Sequence, residues 1–339
     1  MKWIFFAFVV LLLLRAAGKA KYARVPKGGI NESMILDVNG TKQWLNIYGT
    51  DRTNPVLLYL HGGPGEATSH IDYAFTRKWA DAYTVVTWDQ RNCGKSFDCK
   101  QNSTPLSKEL FLADGKAVTD FVLRYLSKEK LTVFGHSWGS IYGANLVQEY
   151  PHCYDCFIGA GQLVDFSENE AALLRQFSCW AQNDSETQAI IDTLDPQQPT
   201  PEYFQKRNQL LEKFGYGMMA KGRDYNLALT LLFNPNYSLQ DWLNFFHRDM
   251  AVYFDFLASE ELKAFSLKGK NQYAVPYYNI NGDRDFQTNY QLAQAYFEQI
   301  TAPHKQLFLM ENMTHGLLES DSEAFSAILH QIAAIQRKK

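Results

Sequence analysis

Residues Leu131 to Tyr142, LTVFGHSWGSIY, constrain this chain more than any other stretch. Leu131 to Phe134 is a short apolar run with the length of a buried strand, Gly135 breaks it, and small residues then open an apolar helix. Ser137 therefore stands at the point of a strand-to-helix turn. Gly135 and Gly139 lack the Cβ atoms that would collide in so tight a turn, and strain there pushes the serine hydroxyl out above a sheet edge. The G-x-S-x-G spacing between strand and helix predicts a nucleophile elbow.

The 339 residues suffice for one large domain or two ordinary ones, and a 46% hydrophobic, 14% aromatic composition supplies a sizeable core. A net charge of −3 gives no support to a nucleic-acid partner and fits a small or neutral substrate better. Residues 1–24 stand apart. Lys2 precedes an apolar run, Trp3 to Leu14, which ends at Arg15 and is followed by Lys19, Lys21, Arg24 and Lys27. The run has the length of a signal-peptide core and is short for a spanning helix, so a signal peptide or a membrane anchor is expected, and the protein is expected to be exported or membrane-associated. The excess of basic residues after the run argues against simple export and would keep the body on the cytoplasmic side.

Five cysteines (Cys93, Cys99, Cys153, Cys156 and Cys179) do not make a disulfide framework, although Cys93 and Cys99 could close a small loop in an oxidising compartment. Cys153 and Cys156 are spaced C-x-x-C without a second pair, and the run from Cys156 reads as a strand, so buried thiols are expected there rather than a metal site. Neither metal nor cofactor is expected. Sequons at Asn31, Asn39, Asn102, Asn183, Asn236 and Asn312 would matter only in a glycosylating pathway.

Ser33 to Val38 and Thr41 to Ile47 alternate around Asn39-Gly40, which predicts an antiparallel hairpin. Pro55 to Leu60 is a buried strand running into His61-Gly62-Gly63-Pro64-Gly65, a loop whose backbone N–H groups can turn toward a developing oxyanion. Tyr83 to Trp88 is the next strand. The G-K-S at Gly94 to Ser96 lacks the glycine five positions earlier that a phosphate cradle needs, so Asp89 and Arg91 are expected to pair and fix that loop. Lys108 to Leu126 reads as a helix, and Cys156 to Gly161, Ala274 to Ile280 and Lys305 to Met310 as strands. Strands alternating with helices predict a mostly parallel, doubly wound sheet, with ligands at the strand carboxyl ends. Residues 165–268 depart from that pattern. Helical, aromatic-rich segments (Ala171 to Asn183, Tyr203 to Phe214, Tyr225 to Phe233, Leu239 to Phe256) predict a helical cap inserted between core segments 25–164 and 269–339.

A serine hydroxyl needs a base, usually a histidine oriented by a carboxylate. His315 follows the last predicted strand and would be that base, whereas His61 and His136 sit in the glycine loop and the elbow, where structural roles are expected. His70, His152, His247, His304 and His330 have no strand end behind them. The carboxylate is Asp283 or Asp285; the chain order Ser137, Asp285, His315 is the one expected of such a sheet.

HGGPG at 61–65, WDQRNCGKS at 88–96 and GHSWGS at 135–140 closely resemble the proline iminopeptidase branch of the α/β-hydrolase family, a likeness that runs from about Lys27 onward. The resemblance implies Ser137 as nucleophile, His315 as base and the backbone N–H groups of Gly63 and Trp138 as oxyanion hole. Its G-x-x-D pattern after the Ala274 to Ile280 strand selects Asp285. It also implies a serine aminopeptidase acting on short peptides, with an ester or other small acyl substrate as the rival reading and a non-catalytic binding protein on the same scaffold as a more distant one. Two departures stand out. Asn92 replaces the usual glycine, and the W-x-x-W-E cap motif that holds the substrate's amino group is missing, with Trp180 and Trp242 standing alone. Glu168 and Glu170 are the candidate amine anchors in its place, although acidic residues also favour helix starts.

Overall fold

The computed structural model describes residues 2–98 and 104–337, and for residues 4, 7 and 8 the backbone alone. Its strands are β1 (Ile30–Val38), β2 (Thr41–Gly49), β3 (Val56–Leu60), β4 (Thr84–Asp89), β5 (Leu131–His136), β6 (Tyr154–Ala160), β7 (Tyr277–Gly282) and β8 (Lys305–Met310). They form one sheet in the order β1-β2-β4-β3-β5-β6-β7-β8. The β1-β2 hairpin is antiparallel, with Asn39 and Gly40 both at positive φ, and β2 is antiparallel to β4. From β4 to β8 every pairing is parallel.

Alternation along β3 divides the core in two. Leu58 and Leu60 face the core shared with the helices Lys108–Leu126 and Trp138–Glu149, while Leu57 and Tyr59 face the terminal helix Ser322–Gln336 through Trp79, Phe134 and Phe325. β3, β4 and β7 are buried along their whole length, as strands covered on both faces must be. β7 begins later than the sequence suggests because Pro276 has no N–H and can only accept, here from the Phe157 amide at 2.9 Å.

Between β6 and β7 the chain is helical, from Phe166–Ala181 to Glu260–Lys263. Leu173, Phe177, Leu210 and Leu211 give this part its own apolar cluster, joined by Phe286 from beyond β7. The single helix expected over Leu239 to Phe256 is instead two, Leu239–His247 and Ala251–Leu257. Arg248 is extended between them, and the Asp249 carboxylate accepts from the Ala251 amide at 2.8 Å, a local bond that competes with helix continuation.

One further expectation is corrected. Asp89 and Arg91 do not pair: Arg91 makes a bidentate ion pair with Asp114 at 2.7 and 2.8 Å, both side chains buried, and Asp89 accepts from the Ser69 hydroxyl and the Lys95 amide. The two residues are two apart on a strand end and its turn, and the fold brings the Lys108–Leu126 helix closer to Arg91 than its sequence neighbour. At the amino terminus, Lys2–Tyr22 is a helix, and among the described residues no helix is long and apolar enough to cross a membrane. Its second half is tied to the body. Arg15 donates to the Leu232 and Tyr237 carbonyls, Lys19 donates to that of Tyr237, and Gly18 lies so close to Phe233 that a Cβ would stand 2.3 Å from the ring. The Cys93–Cys99 loop lies partly outside the described residues, as does the Asn102 sequon.

Candidate active site

Ser137 joins β5 to the helix Trp138–Glu149 at φ 58° and ψ −123°, a conformation that side-chain-bearing residues rarely hold. The neighbours over-determine it. A Cβ on Gly135 would stand 2.0 Å from the Gly139 carbonyl oxygen, and one on Gly139 would stand 2.0 Å from that of Leu60, so both glycines of the motif are required by backbone approach. The Ser137 amide donates to Ala160 O at 3.0 Å, and its carbonyl accepts from the Ser140 amide and hydroxyl. The first bond ties the turn to β6 and the other two tie it to the first turn of the following helix.

His315, buried in the loop after β8, approaches Asp285 with Nδ1 to Oδ2 at 2.8 Å. Asp285 is also buried, and it accepts from the Thr288 amide and hydroxyl, both at 3.0 Å. The Thr288 oxygen lies 3.2 Å from His315 Nδ1 as well, so one hydroxyl braces both partners. The partner of His315 is thus Asp285 and not Asp283. The other ring nitrogen, Nε2, is buried without a hydrogen-bond partner, which leaves it free to accept a proton on the side away from Asp285. Gly161, at φ 51°, floors the pair: a Cβ there would meet His315 Cε1 at 3.0 Å and Asp285 Oδ2 at 3.2 Å. Thr288 and Gly161 carried no sequence signal of their own, beyond the position of Gly161 at the end of a predicted strand.

The glycine loop lies against the serine. A Cβ on Gly62 would stand 3.2 Å from Ser137 Cβ and 3.7 Å from Oγ, and Gly63 holds φ 119°. Gly63 and Trp138 line a cavity of about 60 Å³, with Phe166, Phe204, Asn169 and Glu170 on its walls. Larger openings lie elsewhere, between the N-terminal helix and Leu227–Phe233 and beneath the amino ends of the strands, away from this chemistry. Asn92 adopts φ 58°, the left-handed conformation that asparagine tolerates in place of glycine.

His61 and His136 have structural roles. His61 bonds Gly62 O at 2.8 Å and accepts from the Gln90 amide at 3.1 Å; burial pushes its pKa down to about 4. His136 donates to His315 O at 3.0 Å with the two rings 4.7 Å apart, and burial, then the neighbouring His315, push its pKa down to about 3. Because that value lies below the ordinary 6.5, the stability His136 contributes is complete above pH 6.5 and is lost as pH falls toward 3. His136→Gln keeps a donor and removes the titration. Wild type should therefore lose about 1–2 kcal/mol relative to this variant between pH 7 and pH 5 in urea unfolding, and parallel curves would contradict the assignment.

Neither candidate amine anchor has a free carboxylate. Glu168 pairs with Lys268 at 3.2 Å on the outside of the helix Phe166–Ala181. Glu170 does face the cavity, but it is buried and saturated: Arg207 donates to both its oxygens at 2.7 and 2.9 Å, and Tyr203 and Asn169 supply the rest. The expectation that these residues hold an amino group meets a neutralised pair. Arg207, 37 positions away, was invisible as a partner in the sequence.

Comparison with known proteins gives the family. A family model described as alpha/beta hydrolase fold matches residues 55–321. The probable aminopeptidase YbaC of Bacillus subtilis (strain 168) is 28% identical over 291 residues, covering 83% of this chain and 89% of its own. The proline iminopeptidase structure of Mycobacterium smegmatis superposes with a TM-score of 0.62 at 20% identity, over 90% of this chain and 98% of that one. A structure titled a membrane phospholipase A, a novel bacterial virulence factor, gives 0.62 at 17% identity over the whole of both chains. At such identities the two structures speak to the fold alone. With the family match spanning most of its length and the eight-stranded, mostly parallel sheet beneath it, this chain belongs to the α/β-hydrolase family and is similar to the proline iminopeptidase branch.

Proposed function

We propose that the chain is a serine hydrolase working through an acyl-enzyme, and that it releases amino-terminal residues from short peptides, in keeping with its aminopeptidase relative. One observation carries the reading: a serine held at a strained elbow beside a glycine loop, with a buried His315–Asp285 pair whose Nε2 has no protein partner. In this mechanism His315 Nε2 takes the Ser137 proton as Oγ attacks the substrate carbonyl carbon. The oxygen of the tetrahedral intermediate receives the Gly63 and Trp138 N–H groups, fixed dipoles that strengthen as charge develops. Its collapse breaks the bond to the leaving amine, which takes the proton from His315. Water then repeats the sequence on the acyl-enzyme and restores Ser137. In this reading residues 165–268 are a cap over a core of 25–164 and 269–339, and the cap walls limit the acyl group to a small one.

A second reading, hydrolysis of an ester or amide with an uncharged acyl group, is favoured by the Glu170–Arg207 pair, which removes the net negative charge that would hold an amine. Membership of a fold that peptidases and lipases share does not choose between them. A panel of amino-acyl arylamides and short acyl esters decides. The peptidase reading expects prolyl or other amino-acyl arylamides to be cleaved and N-acylation of them to abolish cleavage; turnover of esters alone would leave only the second reading standing.

A further inference from the structure

The half of the Lys2–Tyr22 helix that precedes Arg15 carries apolar side chains that nothing in the described chain covers: Trp3, Phe5, Phe6 and Leu13 are all at least 60% exposed. Single exposed apolar residues are ordinary, whereas a continuous run of them marks a surface that meets something. The helix Leu239–His247 adds a second such surface. Leu239, Leu243 and Phe246, at i, i+4 and i+7, form one stripe and are 70, 53 and 74% exposed. On its inner side Trp242 packs on Tyr237 and Phe245 on His70, so the stripe is the outward face of a seated helix. The two surfaces meet at one junction. Arg15 and Lys19 hold the Tyr237 carbonyl, immediately before the Ser238 cap of the second helix, and Leu14 lines an apolar groove of about 630 Å³ with Leu229 of the intervening Leu227–Phe233 helix.

Charge says what covers this face. Lys2, Arg15, Lys19, Lys21, Arg24 and Lys27 lie in the first 31 residues, with no acidic residue before Glu32. A second copy seated on the same surface by two-fold symmetry would set these cations against themselves, whereas anionic headgroups neutralise them. The run from Trp3 to Leu14, at 1.5 Å per residue, spans about 18 Å against about 30 Å of hydrocarbon, a length suited to one leaflet.

We propose that the amino-terminal half of the Lys2–Tyr22 helix and the outer face of the Leu239–His247 helix together form a docking surface for an anionic lipid bilayer. The apolar side chains enter one leaflet and the basic residues sit at headgroup level. The proposal does not depend on the chemistry proposed for Ser137. It does bear on the site: Arg248, next after the second helix, pairs with Glu66 at 2.8 Å, just beyond the glycine loop, so docking sets that loop beside the lipid surface.

The test is co-sedimentation of the full chain with vesicles of phosphatidylcholine, with and without phosphatidylglycerol, alongside a Leu243→Glu/Phe246→Glu variant whose N-terminal helix is intact. Wild type is expected to bind the anionic vesicles at least about tenfold more strongly than the neutral ones, and the double variant to lose about tenfold or more of that binding. Should the glutamates prevent folding, Leu243→Ser/Phe246→Ser serves, with the same loss expected in smaller degree. Undiminished binding by a folded variant would remove the second helix from the surface. Equal binding to both vesicle types, or a dimer in solution that vesicles do not dissociate, would overturn the proposal outright.

Discussion

Ser137→Ala is expected to lower kcat on whichever ester or amide the enzyme turns over by about 10⁵- to 10⁶-fold, because the attacking atom itself is removed. The fold should be untouched, since the turn is held by Gly135, Gly139 and the Ser137 backbone, and alanine has the same backbone demands as serine. Asp285→Asn should cost about 10⁴-fold for a different reason. The amide can donate where the carboxylate accepts, so it favours the tautomer of His315 with its proton on Nε2, which cannot take one from serine. Thr288, which donates to Asp285 through both its amide and its hydroxyl, would also lose an acceptor. A fluorophosphonate that labels wild type should fail on Ser137→Ala and react slowly with Asp285→Asn. Full labelling of Ser137→Ala would place the nucleophile elsewhere and, with it, the whole site.

The second large effect is on stability. Arg207→Met leaves the Glu170 carboxylate buried with one neutral donor on each oxygen, and an uncompensated buried charge costs about 3–5 kcal/mol. For a domain of this size that is a fall in Tm of about 4–7 °C. Adding Glu170→Gln should recover most of the loss, because the desolvated charge, more than the missing contact, is what destabilises. If the single variant melted within about 2 °C of wild type, the pair would rank with surface ion pairs. The same variant probes specificity. With Arg207 gone, the cavity wall carries a net negative charge, so cleavage of amino-acyl arylamides should rise relative to that of uncharged esters.

How much of this was legible in advance follows from where each signal lies. The elbow, the glycine loop and the strand runs are local patterns: backbone clearance at Gly135 and Gly139, a tight turn at Asn39-Gly40, apolar stretches of strand length. They led to the sheet and to Ser137, and the His315 position followed from its place after the last strand. The resemblance to proline iminopeptidases then chose Asp285 over Asp283, which neither spacing nor composition could do. Failures came where a charged side chain had a choice of partners. Arg91 was expected to find Asp89 two positions away and instead reached Asp114, and Glu170 was expected to be available and instead holds Arg207. A buried charge is satisfied by whichever opposite charge the packing brings within about 3 Å, and nearness in sequence carries little weight in that choice.

The amino-terminal segment makes the same point. Its apolar run and basic flank were plain, and they suggested a segment apart from the fold. Packing decided otherwise for its second half, where Arg15 finds carbonyl oxygens left unpaired near the end of the Leu227–Phe233 helix and Gly18 admits Phe233.

By itself the sequence determined the elbow around Ser137, because the clearances that make it are set by residues within a few positions of one another, and it determined that strands and helices alternate into a mostly parallel sheet. Only the tertiary structure decided what surrounds that serine. The pairing of His315 with Asp285, the bracing by Thr288 and Gly161, and the neutralisation of Glu170 by Arg207 join residues that lie from 3 to more than 100 positions apart in the chain. Their distances depend on how whole elements pack, and the charge left on the cavity wall depends on those distances.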